Sequence, residues 1–174
     1  MPAQPASNLT EPGPDELLYL QTVGLLRYVA CVGFGVSADD AEAIVQDTYV
    51  AYLVQAGDVK DPRAWLLGTL RNGCRQYWKR QSREVPMPPE SESWPDPRAT
   101  ATQDQLIDDL AALKVIEMLP ERDRDLLERF YLSGESTLAI AEALGTTPGT
   151  IQVFLHQSRK RAQLLYQNLM QVQS

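Results

Sequence analysis

The sequence predicts an all-α fold in two small helical units, and three observations carry that prediction. Apolar residues recur at steps of three and four through most of the chain. No stretch alternates apolar and polar residues with the period of two that a half-buried strand shows. A Pro-rich acidic segment, EVPMPPESESWPDPRAT, interrupts the helical pattern after residue 83. The expected organisation is a mobile tail over residues 1–14, a helical unit over 15–83, a linker over 84–102 and a second helical unit over 103–174.

Taken in order, the tail carries Pro2, Pro5, Pro12 and Pro14 among small polar residues. A helix is expected from Asp15 to about Phe34, with Leu18, Leu25, Val29 and Val32 among its apolar positions and its end at Gly33 to Gly35. Ser37 with Asp40 three residues on makes an approximate capping box. It opens a second helix whose inner face is Ala41, Ile44, Val45, Thr48, Tyr49 and Tyr52. Glu42, Gln46, Asp47 and Val50 fall on the opposite face, which helix physics alone reads as a solvated acidic surface. After a loop around Gly57, Asp61 caps a third helix with Pro62 in its first turn, where a missing N–H costs nothing. Trp65, Leu66, Leu70, Cys74, Tyr77 and Trp78 are its inner residues, and Arg71, Arg75 and Lys79, four apart, form a basic ridge. Bases interleaved with aromatics suit a single-stranded nucleic acid, while a basic face balancing the acidic helix before it is the competing reading.

Prolines 86, 88, 89, 95 and 97 favour an extended linker that holds the two units apart. Helical pattern resumes with Leu106, Leu110, Leu113 and Ile116, breaks at Pro120, and returns through Leu126, Leu127, Phe130 and Tyr131 into Gly134. The segment from Glu135 to Arg161 then reads as a helix-turn-helix. Ser136 is its N-cap, Gly145 ends the first helix, and Thr147 with Pro148 begins the second, whose core stripe is Ile151, Leu155, Ser158, Ala162, Leu165 and Leu169. Thr150, Val153, Gln157 and Lys160 face the other way, as a helix entering a major groove requires, and Phe154 points sideways.

Composition limits what these helices do. The chain has 174 residues, 44% of them hydrophobic, enough to bury cores. No apolar run reaches membrane-spanning length and the N-terminus does not read as a signal peptide, so a cytoplasmic protein with no membrane insertion is expected. Cys31 and Cys74 sit in helical patterns without a neighbouring Cys or His, as buried apolar residues rather than metal ligands. With His156 the only histidine and no Gly-rich phosphate loop, no catalytic, metal or cofactor site is expected, and the chain does not read as an enzyme. The net charge of -7 argues against a protein that coats DNA by itself. Its distribution is uneven: up to Asp58 Arg27 faces eight acids, whereas Lys60 to Arg83 holds seven bases against Asp61 alone.

Four segments in this order, DDAEAIVQDTYV, PRAWLLGTLRNGCRQYWKR, LPERDRDLLERFYLSGES and IAEALGTTPGTIQVFLHQSRKR, resemble the second and fourth conserved regions of the extracytoplasmic-function group of bacterial sigma-70 factors. The resemblance covers nearly all of the chain after Asp15. It implies a transcription initiation subunit whose partners are core RNA polymerase, promoter DNA and an anti-sigma factor. Polymerase binding would fall on Glu42, Gln46 and Asp47, with Ala43 where the motif usually has an acid. Arg63, Arg71, Asn72, Arg75, Lys79 and Arg80 would lie along the melted downstream element, with the Gln55 to Lys60 loop near a flipped base. The linker would follow the path toward the polymerase active site. Thr150, Gln152, Val153, His156, Gln157, Arg159 and Lys160 would meet the upstream element. Two other readings stay open: a stand-alone helix-turn-helix regulator, and a sigma-like interaction module with reduced DNA binding, since Gln152, Phe154 and Gln157 stand where relatives often place bases.

Overall fold

The computed structural model describes residues 11–82 and 102–172. Among them there is no strand. The N-terminal unit is α1 (Pro14–Tyr28), continued by a π-helical turn (Val29–Gly33), then α2 (Ala38–Gln55) and α3 (Pro62–Gln81). The C-terminal unit is α4 (Gln103–Met118), α5 (Glu121–Tyr131), α6 (Thr137–Leu144) and α7 (Pro148–Val172). The expected linker and most of the expected tail lie outside the described residues, and so do the structural expectations attached to them.

The caps form where the sequence put them. Ser37 Oγ accepts from the Asp40 amide at 3.3 Å, Asp61 Oδ1 from Ala64 at 3.1 Å, Ser136 Oγ from Ala139 at 3.1 Å and Thr147 Oγ1 from Thr150 at 3.3 Å. Each satisfies one amide that the first helical turn leaves without a partner, worth about 1 kcal/mol. Gly145 ends α6 at φ 65°, a left-handed conformation in which a Cβ would be strained. A fifth cap was not foreseen: Thr102 and Gln105 form a reciprocal capping box that starts α4.

The N-terminal helix is broken in register rather than continuous. The π-helical turn admits one extra residue, so the inner face changes from Thr22 and Leu26 in α1 to a segment, residues 30–36, buried on every side. This segment packs against α1, α2, α3, α4 and α7. The inner face of α2 is as expected, with Ala41, Val45, Thr48, Tyr49 and Tyr52 buried, and α3 buries Trp65, Leu66, Leu70 and Cys74. Cys31 and Cys74 are both buried, and loss of solvent pushes both thiols up, away from the reactive thiolate.

Two expectations are corrected. Leu106, Leu110 and Leu113 do not face the core. They are 52%, 65% and 59% exposed, while Ala111, Ala112, Val115 and Leu119 are buried. The reason is proximity: α4 lies against the π-helical turn with Ala112 beside Gly33, and a leucine at this crossing would hold the backbones apart. Second, the two units are not held apart. Phe34 and Trp78 of the N-terminal unit pack against Tyr166 of α7, Tyr28 meets Tyr131 of α5, and one core cluster runs through both units. Gly24 in α1 lies so close to the Tyr131 carbonyl that a Cβ has no room there.

Candidate nucleic-acid interface

Three surfaces carry the residues singled out in the sequence, and the fold treats them differently. On α2, Gln46 and Asp47 are exposed, as is Ala43. Glu42 is already engaged. It accepts from Arg27 Nε at 2.6 Å and Nη2 at 2.8 Å, and from Gln46 Nε2 at 3.4 Å. The bidentate Arg27 fork lowers the Glu42 carboxyl below its ordinary range and ties α2 to α1. Beyond Asp47 the same face continues with Val50, Leu53 and Val54, which are 61%, 58% and 80% exposed. Leu53 and Val54 were missed in the sequence, although a step of three or four from Val50 reaches both.

On α3 the ridge is split by contact with α4. Arg63, Lys79 and Arg80 are exposed. Arg75 is enclosed: its Nη2 donates to Asp109 Oδ1 at 2.5 Å and to the Gln105 carbonyl at 3.1 Å, and its Nη1 to Asn72 Oδ1 at 2.7 Å. Its Nε lies 3.4 Å from Asp108 Oδ2, its side chain is 8% exposed, and Phe34 lies 6.0 Å beneath the guanidinium. Asn72 also accepts from Gln105. Arg71 lies 3.7 Å from Asp109 and stays 42% exposed. Burial raises the Asp108 carboxyl above its ordinary range in spite of Arg75 beside it. Trp78 completes the seal. Its Nε1 donates to the Phe34 carbonyl at 2.7 Å and its ring stacks on Tyr166 at 5.4 Å. Of the six α3 residues expected along a strand, Asn72 and Arg75 thus spend their polar groups on each other and on α4. The loop before α3 contains a short 3-10 turn, Ala56–Asp58, with Gly57 and Lys60 exposed.

On α7 the geometry is that of a presented helix. Gln152, Val153, His156, Gln157 and Lys160 are exposed on one side, while Ile151, Leu155, Ser158 and Ala162 are buried on the other. Thr150 is half-buried and shares a hydrogen bond with Thr147. Two of the three bases near the end of this face are turned aside: Arg159 Nη1 donates to the Tyr131 hydroxyl at 3.2 Å, and Arg161 pairs with Asp123 of α5. Loss of solvent pushes the Tyr131 phenol up to about 12, so it stays a neutral hydroxyl that accepts from Arg159. Lys160 remains exposed. Phe154 points sideways, with the Arg122 guanidinium 4.6 Å over its ring. Among the described residues no cluster of side chains is arranged to hold a metal ion, and no helix is long and apolar enough to cross a membrane.

Residues 109–161 match the family model for sigma-70, region 4. The matched segment takes in most of α4, all of α5 and α6, and the first half of α7. No curated protein matches the chain. One similar solved structure is the sigma factor RpoE of Bartonella quintana in complex with the anti-sigma factor NepR. It is 24% identical over 87% of this chain and 95% of that one, with a TM-score of 0.37.

Proposed function

We propose that this chain, a member of the sigma-70 family through its region 4, directs core RNA polymerase to promoters as a small two-unit factor of the extracytoplasmic-function type. The observation that carries the reading is the match of residues 109–161 to region 4, on a helix-turn-helix whose second helix presents Gln152, Val153, His156, Gln157 and Lys160 to solvent. The family is one of non-catalytic initiation subunits, so the chemistry belongs to the polymerase. In this reading the factor acts in the cytoplasm, and an anti-sigma protein is a further partner.

Polymerase docking is assigned to α2, where exposed Gln46 and Asp47 adjoin the apolar Val50, Leu53 and Val54. A polar edge beside an apolar band gives both orientation and buried area, and it compensates for Ala43 and for the engagement of Glu42 with Arg27. Arg63, Arg71, Lys79 and Arg80 of α3, with Asn72 and Arg75 once released from α4, are assigned to the separated downstream strand. The exposed side of α7 is assigned to the upstream element. There Val153 suits a thymine methyl and Gln152 an adenine edge, and Thr150, Gln157, Arg159 and Lys160 flank them.

The test is reconstitution: the full chain mixed with core bacterial RNA polymerase should give run-off transcripts from a matched promoter, and Asp47→Arg should abolish docking while helical content is unchanged. Initiation that persists undiminished with Asp47→Arg would remove α2 from the docking assignment. A second reading, an interaction module with reduced DNA binding, is favoured by the Arg159–Tyr131 and Arg161–Asp123 contacts, which draw positive charge away from α7. It predicts transcription indifferent to Val153→Ala, Gln152→Ala and upstream sequence.

A further inference from the structure

We infer that Arg122 and Arg129 of α5 are positioning residues that set the angle at which α7 is presented, an inference that rests on the reading of α7 as the helix that meets the upstream element.

The helix-turn-helix is joined to α5 by a turn that packing does not hold. Gly134 stands in this turn at φ 67°, and a Cβ built there would meet nothing within 4 Å. Between α5 and the helix-turn-helix lies a groove of about 310 Å³, lined by Leu126 of α5, Leu144 at the end of α6, Thr146 of the turn before α7 and Phe154 of α7. Filled helix interfaces fix an angle by interdigitation, and an open groove weakens that constraint.

Two cations of α5 span this weak point. Arg129 donates from Nε to Glu135 Oε1 at 3.0 Å and from Nη2 to Oε2 at 2.7 Å, while the Glu135 amide donates to the Arg129 carbonyl at 3.0 Å. Side chain and backbone thus tie the last turn of α5 to the residue before the Ser136 cap of α6. A guanidinium paired through two nitrogens to both oxygens of a carboxylate is restrained in direction as well as distance. Arg122 stands seven residues earlier, so it shares the same face of α5 about 10 Å away along the axis. Its guanidinium lies 4.6 Å over the Phe154 ring. Both arginines line the groove. One ties α5 to the start of α6 and the other ties it to α7, so rotation about either contact is opposed by the other. Phe154 gains a role from this arrangement: where relatives often place a base, a ring gives up a charge on α7 and provides a fixed point against α5.

The experiment uses the full chain. Glu135→Arg sets like charges across the turn, and Arg129→Glu with Glu135→Arg restores the pair at the parent net charge. Spin labels on Glu121→Cys and Glu142→Cys, both exposed, report the distance between α5 and α6 by pulsed electron resonance, since Cys31 and Cys74 are buried. Glu135→Arg should broaden the distance distribution, and the swapped pair should narrow it again. By fluorescence anisotropy, the ratio of affinities for the upstream duplex of the matched promoter and for a scrambled duplex should fall about tenfold in Glu135→Arg, as when a competent orientation drops to a minor population, and should recover in the swapped pair. Phe154→Leu keeps apolar bulk without the ring and should lower the same ratio while the scrambled affinity holds. Thermal unfolding of Glu135→Arg should change little, because both partners are partly exposed. An unbroadened distribution in Glu135→Arg overturns the inference, and so does broadening with the ratio unchanged or a ratio that the swapped pair does not restore. If the distances respond as stated but the parent chain does not distinguish the two duplexes, the reading of α7 fails and the brace from α5 stands.

Discussion

The two surfaces assigned to nucleic acid are deficient in opposite respects. Helix α3 has the charge without full access, because Arg75 is enclosed by Asp108 and Asp109 and Arg71 leans on Asp109. Helix α7 has the access without the charge, because Arg159 and Arg161 turn back to Tyr131 and Asp123 while neutral Gln152, Val153 and Gln157 face outward. The difference shows that where bases occur along a chain and where they reach solvent are set by separate causes. Local sequence sets the first. The second depends on which residues of distant helices arrive opposite, here an acidic pair on α4 and an acid on α5.

The largest expected effect is on the core side of α7. Tyr166→Ala removes a fully buried ring from between Phe34 and Trp78 and should cost about 4 kcal/mol in urea unfolding. Val153→Ala on the outer side of the same helix should leave the midpoint nearly unchanged. Next comes the ridge itself. Arg75→Ala leaves enclosed Asp108 without its cation and Asp109 with only the more distant Arg71, and should cost about 3 kcal/mol, whereas Arg71→Ala, one helical turn away but 42% exposed, should cost under about 0.5 kcal/mol. Equal costs would erase the distinction drawn between the two bases. The contrast with α7 sharpens if charge is restored there. Gln157→Lys in the full chain should tighten binding to duplex upstream DNA and raise the slope of log affinity against log salt by about one, read by fluorescence anisotropy across a salt series. No change in slope would mean this face does not lie on a phosphate backbone.

The smallest effect concerns the tie between α1 and α2. Arg27 lowers the Glu42 carboxyl in the folded state, so the pair contributes stability above the unfolded value near 4.5, and that contribution is lost as pH falls through the lowered folded value. Both side chains are about a third exposed, so the amount should be under about 1 kcal/mol. Glu42→Gln should therefore unfold slightly earlier than the parent chain at pH 7 and coincide with it at pH 2, by thermal melts at each pH.

The sequence made the caps and the helix-turn-helix legible because these depend on residues within one or two turns of each other. Ser136, Gly145, Thr147 and Pro148 act where they stand. The inner faces of α2 and α3 were legible for a similar reason: a wide apolar stripe has one way to be buried. What could not be read was the contact between the units. The leucine pattern on α4 predicts an inward stripe at Leu106, Leu110 and Leu113, yet Ala111 and Ala112 win the core, since the approach to Gly33 selects small residues over apolar bulk. Tyr166 gave no signal beyond being aromatic, and its burial depends on Phe34 and Trp78, most of the chain away. Of the site, the composition of each surface was visible in the sequence. The enclosure of Arg75 and Asn72 was not, because Asp108 and Asp109 read as an ordinary acidic first half of a helix.

The π-helical turn at Val29–Gly33 also constrains how this chain can vary across lineages. Each residue in an α-helix advances the side chains by about 100°, so the extra residue accommodated by the turn fixes the angle between the face of α1 that meets α2 and α5 and the buried segment that ends at Val36. Deleting one residue there would remove the π-helical turn and shorten the buried segment that carries Phe34 to Tyr166 and Trp78. Insertions and deletions should therefore accumulate elsewhere in related chains, while the spacing between Leu26 and Phe34 is inherited as a fixed count.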